Sequence, residues 1–200
     1  MDKFSFFFAF YGLILGLAVA ELLIGLARLI RARAVRQIEA RTALMALFIF
    51  VSICATWIDA FQLLDYATLD FQGLAAPVLA ATCYFLAATV VFPTDAEELS
   101  DLGRYFTEHK TFIVGLLFAA EWLITYTLLP AMAERIEKDP AFLWYWLLPY
   151  NLLTKGTYIG LLLARRRNVI IALEIALLFL FLVPYWSAGA LPRLLANTFG

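Results

Sequence analysis

Six long apolar runs, each close to the length of a membrane-crossing helix, constrain this chain more than any other feature. A helix rises about 1.5 Å per residue, so roughly 20 apolar residues cross the ~30 Å hydrocarbon core of a bilayer. The predicted spans are residues 4–27, 43–64, 74–92, 112–129, 142–163 and 169–187. Backbone groups in lipid must be paired within the protein, and barrel-type alternation is absent from the sequence. We therefore expect an all-α polytopic transmembrane bundle that forms a single integral membrane domain over residues 1–200.

The composition excludes most other classes of protein. Hydrophobic residues make up 64% of the chain and charged residues 16%, whereas soluble domains contain roughly 45–50% and about 25%. A soluble globule of this size cannot bury so much apolar surface, and a net charge of −1 provides no basic surface for nucleic acid. Two cysteines and one histidine exclude a disulfide framework and give no cluster of metal ligands. Because no nucleophile–base set occurs either, we expect no cofactor, no metal and no enzymatic activity.

Lysine and arginine residues set the expected orientation in the membrane. Of the fifteen, ten lie in the segments that follow the first, third and fifth spans, four lie on the other side, and Lys155 lies inside a span. Positively charged loops stay in the cytoplasm, so these three segments should be cytoplasmic and both termini should lie outside.

Five ionisable side chains interrupt the apolar runs: Glu21, Asp59, Glu121, Lys155 and Glu174. Counting from the span midpoints places Glu121 near the midplane and Glu21, Lys155 and Glu174 in the cytoplasmic half, with Asp59 nearer the outer interface. One glutamate can pair with Lys155, but the others cannot all stay ionised in a dry interior. The pattern predicts a protonated carboxyl, a hydrated cavity or a cation site. The alternative is that the glutamates only join helices through hydrogen bonds.

Two spans carry small-residue motifs that allow helices to approach closely, either within the bundle or between copies in a homo-oligomer. The motif residues are Gly12 and Gly16 in the first span and Gly156 and Gly160 in the fifth. Because both spans can approach another helix closely, we expect the first and fifth spans to be neighbours. The second motif begins beside Lys155, so this packing would let Glu21 meet Lys155.

Prolines lie inside two predicted spans. Pro149 in the fifth and Pro184 in the sixth each remove a helix hydrogen bond and free the carbonyl four residues earlier. The fifth helix also carries Asn151 and Lys155 after its proline, which makes it the place to look for a solute path. Simple tolerance of proline by membrane helices is the alternative.

The segment between the third and fourth spans, residues 93–111, predicts a short amphipathic cytoplasmic helix. Thr94 and Glu97 have the spacing of a capping box, and apolar side chains then recur at helical intervals. The segment is acidic overall, so we expect it to pack over the arginines of the first and fifth loops. His109 near its end is a candidate pH-sensitive group, although a solvated or capping histidine is the commoner case.

Two regions of the chain resemble a broad group of uncharacterised bacterial multi-pass membrane proteins. The stretch Gly12–Arg31 resembles their first span, and Val91–Pro93, with Asp101–Phe106 and His109–Phe112, resembles their central loop. The resemblance implies a multi-pass protein of the bacterial inner membrane. Members of the group often carry a histidine where this chain has Glu21.

Two functions fit these features. The first is a small proton- or cation-coupled transporter or channel-like carrier for an unknown solute. Its polar pathway would consist of Glu21, Asp59, Glu121, Asn151, Lys155 and Glu174. The second is a non-catalytic sensor or accessory module that acts through a protein partner, with the arginine loops and the acidic helix as its docking face. Pairing of every buried charge would favour the second function.

Overall fold

The described part of the chain is a bundle of helices with no strand among the residues that it covers. The computed structural model describes residues 3–31, 38–63, 71–95, 98 and 101–189, with side chains for 8–31, 38–60, 73–95, 98 and 101–182. A π-helical stretch, Leu143–Leu147, connects two of the helices. The helices are α1 (Lys3–Arg31), α2 (Ala40–Leu63), α3 (Phe71–Val90), α4 (Leu102–Lys138), α5 (Pro140–Phe142), α6 (Leu148–Leu163) and α7 (Arg167–Gly189).

Four helices in the described ranges are long and apolar enough to cross a membrane. The candidate segments are Phe8–Arg31, Ala40–Ala60, Gly73–Val90 and Leu102–Lys138. Their outward faces carry large apolar side chains such as Leu13 and Phe112, which are more than half exposed. Lipid is the solvent that suits surfaces of this kind. The all-α fold class is therefore confirmed over the described residues, four of its helices suggest a membrane protein, and the fifth and sixth spans stay predictions.

The second half of the predicted amphipathic segment and the fourth span form one helix. Helix α4 runs from Leu102 to Lys138 without a break, over 37 residues. The carboxylate of Asp101 caps it by accepting the backbone N–H of Arg104 at 3.0 Å. Residues 102–111 of the predicted surface helix are not separate from the fourth span, because no proline or glycine lies between Arg104 and Phe112 and the backbone hydrogen bonds continue. Of the earlier part of that helix, the structure describes residues 93–95, 98 and 101, and residue 98 is helical. Glu97 of the predicted capping box lies outside the described residues.

The three segments predicted to share one side of the membrane meet at one end of the bundle. Arg167 Nε lies 3.0 Å from Glu39 Oε1, which joins the start of α7 to the segment before α2. Lys110 Nζ donates a hydrogen bond to the carbonyl of Ala164 at 2.6 Å, which joins α4 to the segment after α6. We call this end, defined by Glu39, Arg41, Lys110 and Arg167, the basic end.

The order of helix packing differs from the prediction based on the glycine motifs. Helix α1 packs against α3 and α2, whereas α6 packs against α4 and α7. A Cβ atom on Gly12 would meet α2 and one on Gly160 would meet α7, while Gly16 and Gly156 face open space. The expectation that the first and fifth spans are neighbours was therefore wrong, because the motifs serve other contacts or none within the chain.

Of the described glycines, Gly25 has the closest neighbour, although it lies outside both predicted motifs. A Cβ atom there would lie 2.6 Å from Cδ2 of Phe92. Phe92 follows α3 directly and is buried. The absence of a side chain at Gly25 therefore sets the distance between α1 and the segment that leaves α3.

Helices α4 and α6 form an antiparallel hairpin whose turn is a single residue. The backbone N–H of Asp139 donates to the carbonyl of Arg135 at 2.9 Å and ends α4. Its carboxylate accepts the backbone N–H of Ala141 at 3.1 Å and starts the return helix. Pro130, which was expected to mark the end of the fourth span, lies inside α4 instead. This tight turn fixes which residues of α4 and α6 face each other.

The predicted disruption of the fifth helix by Pro149 is confirmed, because the helix changes from α-helical to π-helical hydrogen bonding just before this residue. The π-helical stretch Leu143–Leu147 lies just before this proline, and the N–H of Leu148 bonds to the carbonyl of Leu143. Proline cannot donate to the carbonyl four residues earlier, and a wider turn accommodates that loss. Helix α7 continues through Pro184.

Candidate functional site

The α4–α6 hairpin brings two opposite charges together inside the bundle. Lys155 Nζ on α6 lies 3.9 Å from Glu121 Oε1 on α4. Glu121 is 8% exposed, so its carboxylate has left water almost completely. Lys155 lies eight residues before the end of α6, which places it roughly 12 Å from the basic end. The pair therefore sits deep in the hairpin and not at its rim.

The ammonium group of Lys155 has polar and aromatic neighbours besides Glu121. It donates hydrogen bonds to Asn151 Oδ1 and to Thr125 Oγ1, the latter at 3.4 Å. The ring of Trp122 lies 4.7 Å from the ammonium nitrogen, within the range of a cation–π contact. An ammonium has three donors, so the cation stays partly satisfied even without the carboxylate.

Two buried tyrosines lie within electrostatic range of the Glu121 side of the pair. Tyr84 and Tyr158 are 2% and 1% exposed, and each is close enough to Glu121 for an electrostatic interaction. Thr56 Oγ1 on α2 donates to the Tyr84 hydroxyl at 3.2 Å. Asp59, also on α2, lies within electrostatic range of Glu121 and Tyr84. Since hydroxyls both donate and accept hydrogen bonds, this lining can hold a proton or pass it on.

The structure brings together some of the predicted pathway residues and separates others. Glu121, Lys155 and Asn151 form one site, and Asp59 faces it from α2. The predicted contact between Glu21 and Lys155 was wrong, because α1 packs on α3 and α2 and not on α6. Among the described residues no ion pair of Glu21 is found.

Sequence reasoning missed the neighbours that complete the site. Thr125 follows Glu121 by four residues, so both lie on one face of α4. Tyr158 follows Lys155 by three residues on α6, on the helix face that the predicted residues Asn151 and Lys155 share. The sequence did contain a signal for these neighbours, because polar residues at helical spacing within an apolar run lie on one helix face.

Arg41 organises the contacts at the basic end. Its Nε and Nη2 donate to the two carboxylate oxygens of Glu39 at 2.9 and 2.5 Å. Its Nη1 donates to Thr107 Oγ1 at 3.4 Å, and its guanidinium lies 5.0 Å from the centre of the Phe106 ring. The first turns of α4 therefore pack over an arginine of the first loop, as the sequence predicted.

Glu174 and Lys110 occupy the same end but do not hydrogen-bond to each other. Lys110 Nζ donates to the carbonyls of Leu161, Leu162 and Ala164 at 2.7, 3.4 and 2.6 Å, and so caps the end of α6. Glu174 on α7 is 1% exposed. Both of its carboxyl oxygens are buried without a hydrogen-bond partner among the described residues. This is a second interior carboxyl, separate from the ion pair.

His109 contacts Tyr105 on its own helix, α4, and is not among the contacts of the interior site. Its Nδ1 lies 3.0 Å from the carbonyl of Tyr105, and its ring stacks on the Tyr105 ring at 4.2 Å. The Tyr105 hydroxyl in turn donates to the carbonyl of Val90 at the end of α3, at 2.8 Å. A pH-sensitive role for His109 stays a prediction. Within the described ranges, no group of three His, Cys, Asp or Glu side chains could hold a metal ion.

No protein-family model, curated protein or solved structure matches the chain. The functional argument therefore rests on the geometry of the chain itself. Its two salient features are the Glu121–Lys155 pair within the hairpin and the buried carboxyl of Glu174, which has no hydrogen-bond partner in the described part of the chain.

Proposed function

We propose that the chain is a six-span membrane carrier in which the Glu121–Lys155 pair binds and releases the coupling proton. Besides the four apolar helices, the continuous helical run from Pro140 to Leu163 and helix α7 are long enough to be spans. With 24 and 23 residues, each extends roughly 35 Å, which exceeds the ~30 Å hydrocarbon core.

The charge distribution supports an orientation for this bundle. Positively charged segments remain in the cytoplasm, so the basic end faces the cytoplasm in our proposal. The hairpin turn at Asp139 and both termini then lie outside. The proposed location, the bacterial inner membrane, rests on the resemblance of residues 12–31 and 91–112 to bacterial multi-pass proteins.

The observation that carries the proposal is the loose ion pair inside the hairpin. Direct hydrogen bonds between an ammonium and a carboxylate are about 2.7–2.9 Å long, and the separation here is 3.9 Å. The Glu121 carboxylate is therefore attracted to Lys155 but not locked to it. It can accept a proton without breaking a direct hydrogen bond to the ammonium.

Proton binding at this site changes the force between two helices. When Glu121 is ionised, it attracts the ammonium of Lys155 across the α4–α6 interface. When it is protonated, that attraction disappears, and Asn151 and Thr125 retain the ammonium. The two protonation states therefore favour different spacings of α4 and α6, which is the property a proton-coupled carrier needs.

A specific observation favours a carrier over a passive docking module. A bundle that only supports a partner protein is most stable when its interior charges are paired or absent. The carboxyl of Glu174 is buried and has no hydrogen-bond partner among the described residues. An unpaired interior carboxyl serves a structural role poorly, and it suits a group that exchanges protons.

The test is proton flux into liposomes that contain the purified protein and a trapped pH-sensitive dye. A membrane potential drives the flux, and empty liposomes give the background rate. We expect wild-type protein to exceed the background and Glu121→Gln to lose at least nine-tenths of the excess. The matched control is Glu137→Gln, which makes the same chemical change at an exposed position beside the hairpin turn and should keep the wild-type rate.

Two outcomes would overturn the proposal. One is wild-type protein that does not exceed empty liposomes although it is folded by circular dichroism and size-exclusion chromatography. The other is a Glu121→Gln variant that keeps the wild-type rate. Either result would direct attention to the exposed arginines at positions 165–167, at and next to the basic end, and to a protein partner.

A further inference from the structure

Among the described carboxyls, Glu174 combines almost complete burial with two buried oxygens that lack a hydrogen-bond partner. Its side chain is 1% exposed, and neither carboxyl oxygen has a hydrogen-bond partner among the described residues. Glu121, by contrast, faces an ammonium at 3.9 Å. Buried carboxylates ordinarily accept several hydrogen bonds. The lack of described donors to Glu174 therefore needs a physical explanation.

The charged groups around Glu174 direct their hydrogen bonds elsewhere. Arg41 and Glu39 from the α2 side and Lys110 from α4 lie within electrostatic range of the carboxyl. The guanidinium of Arg41 is committed to Glu39 and Thr107. The ammonium of Lys110 is committed to three carbonyls at the end of α6. The nearby cations are therefore held by other acceptors, and none donates to Glu174.

We infer that Glu174 is a proton-binding site at the basic end and that its carboxyl carries a proton in this conformation. Removing a neutral carboxylic acid from water without partners is far less unfavourable than removing a carboxylate. The burial and the absence of donors therefore both favour the acid form. The proton is the ligand of the site, and Glu174 binds it without help from Glu121.

Loss of this proton would disturb contacts on two helices. The proton passes to water at the basic end and leaves a carboxylate within electrostatic range of Lys110 and Arg41. The new negative charge competes with the α6 carbonyls for the ammonium of Lys110 and with Glu39 for Arg41. Deprotonation of Glu174 thereby weakens the links of α6 and α2 to α4. Its role in transport rests on the proposed carrier function, whereas the proton site itself does not.

Infrared spectroscopy of the full-length protein in lipid tests the site directly. A protonated carboxylic acid has a carbonyl stretching band that ionised carboxylates lack. We expect wild-type protein near neutral pH to show this band, and Glu174→Gln to abolish it. Glu121→Gln and Glu137→Gln remove carboxylates that are ion-paired or exposed, and both variants should retain the band.

The inference is overturned if the wild-type band is absent near neutral pH or persists in Glu174→Gln. A band that disappears when sodium is added at constant pH also overturns it, because the site would then bind a metal cation. If Glu174→Gln does not fold, glutamate labelled with carbon-13 gives a second measurement in wild-type protein. The band must then shift with the label and vanish at high pH, and a band that does neither rejects the site.

The two proposals can fail separately. A protonated Glu174 together with no proton flux above background refutes the carrier and leaves the proton site intact. Proton flux that requires Glu121, without an acid band from Glu174, supports the carrier and refutes the second site.

Discussion

Replacing Lys155 by methionine leaves the Glu121 carboxylate inside the hairpin without its cation. At the observed separation of 3.9 Å, the attraction is about 4 kcal/mol with an effective dielectric constant near 20. Both side chains are mostly buried, 14% and 11% exposed for Lys155 and Glu121, so little screening by solvent applies. Breaking one side of a buried pair typically costs about 3–5 kcal/mol, and we expect Lys155→Met to lower the free energy of unfolding by that amount.

The complementary substitution should cost less. Glu121→Gln removes the charge but keeps the shape, and Lys155 retains its hydrogen bonds to Asn151 and Thr125. We expect a smaller loss than the roughly 3–5 kcal/mol of a broken buried pair, because two polar acceptors still hold the ammonium. The double variant, with both changes, should be more stable than the sum of the single losses indicates, because neither buried charge remains without its partner.

The assay is unfolding in mixed micelles, in which the fraction of a denaturing detergent is raised and helix content is followed by circular dichroism. Wild type, the two single variants and the double variant form a double-mutant cycle. We expect a coupling energy of at least about 2 kcal/mol. Additive losses, or a Lys155→Met variant as stable as wild type, would refute the claim that the two charges interact across the hairpin.

Two further predictions concern helix packing and orientation. Gly25→Ala places a Cβ atom 2.6 Å from the ring of Phe92 and should lower the free energy of unfolding by about 1–3 kcal/mol. Gly156→Ala, which faces open space, is the control and should leave stability unchanged or raise it by up to about 1 kcal/mol. Equal effects at both positions would contradict the close contact. For orientation, a membrane-impermeant thiol reagent applied to intact cells should label a cysteine replacing Lys138 but not one replacing Arg166, in a Cys54→Ala, Cys83→Ala background. Labelling at position 166 but not at position 138 would contradict the proposed orientation.

The charged members of the interior site could be predicted from the sequence, but their pairing could not. Glu121 and Lys155 stand out because each interrupts an apolar run. Glu21 and Glu174 stand out for the same reason, so composition alone leaves several possible partners for one lysine. The choice depends on the register of the α4–α6 hairpin, which the capping interactions of Asp139 set at the turn.

The errors have identifiable physical causes. The glycine motifs suggested that α1 and α6 were neighbours. A glycine, however, shows only that another helix can approach closely at that position, and it does not identify that helix. The tight contact occurs instead between Gly25 and Phe92, which lies just after the end of α3. The length of α4 was underestimated because the charged residues before Phe112 suggested a separate surface helix, although nothing in that stretch breaks a helix.

The central proposal is that protons cross this bundle by way of the carboxyls of Glu121 and Glu174. The most direct measurement compares the initial rates of potential-driven proton uptake in liposomes for wild type, Glu121→Gln, Glu174→Gln and Glu137→Gln at equal protein density. The account predicts a wild-type rate above that of empty liposomes, near-complete loss in the first two variants and no change in the third. Equal rates in all four proteins, or a wild-type rate no higher than the background, would contradict it.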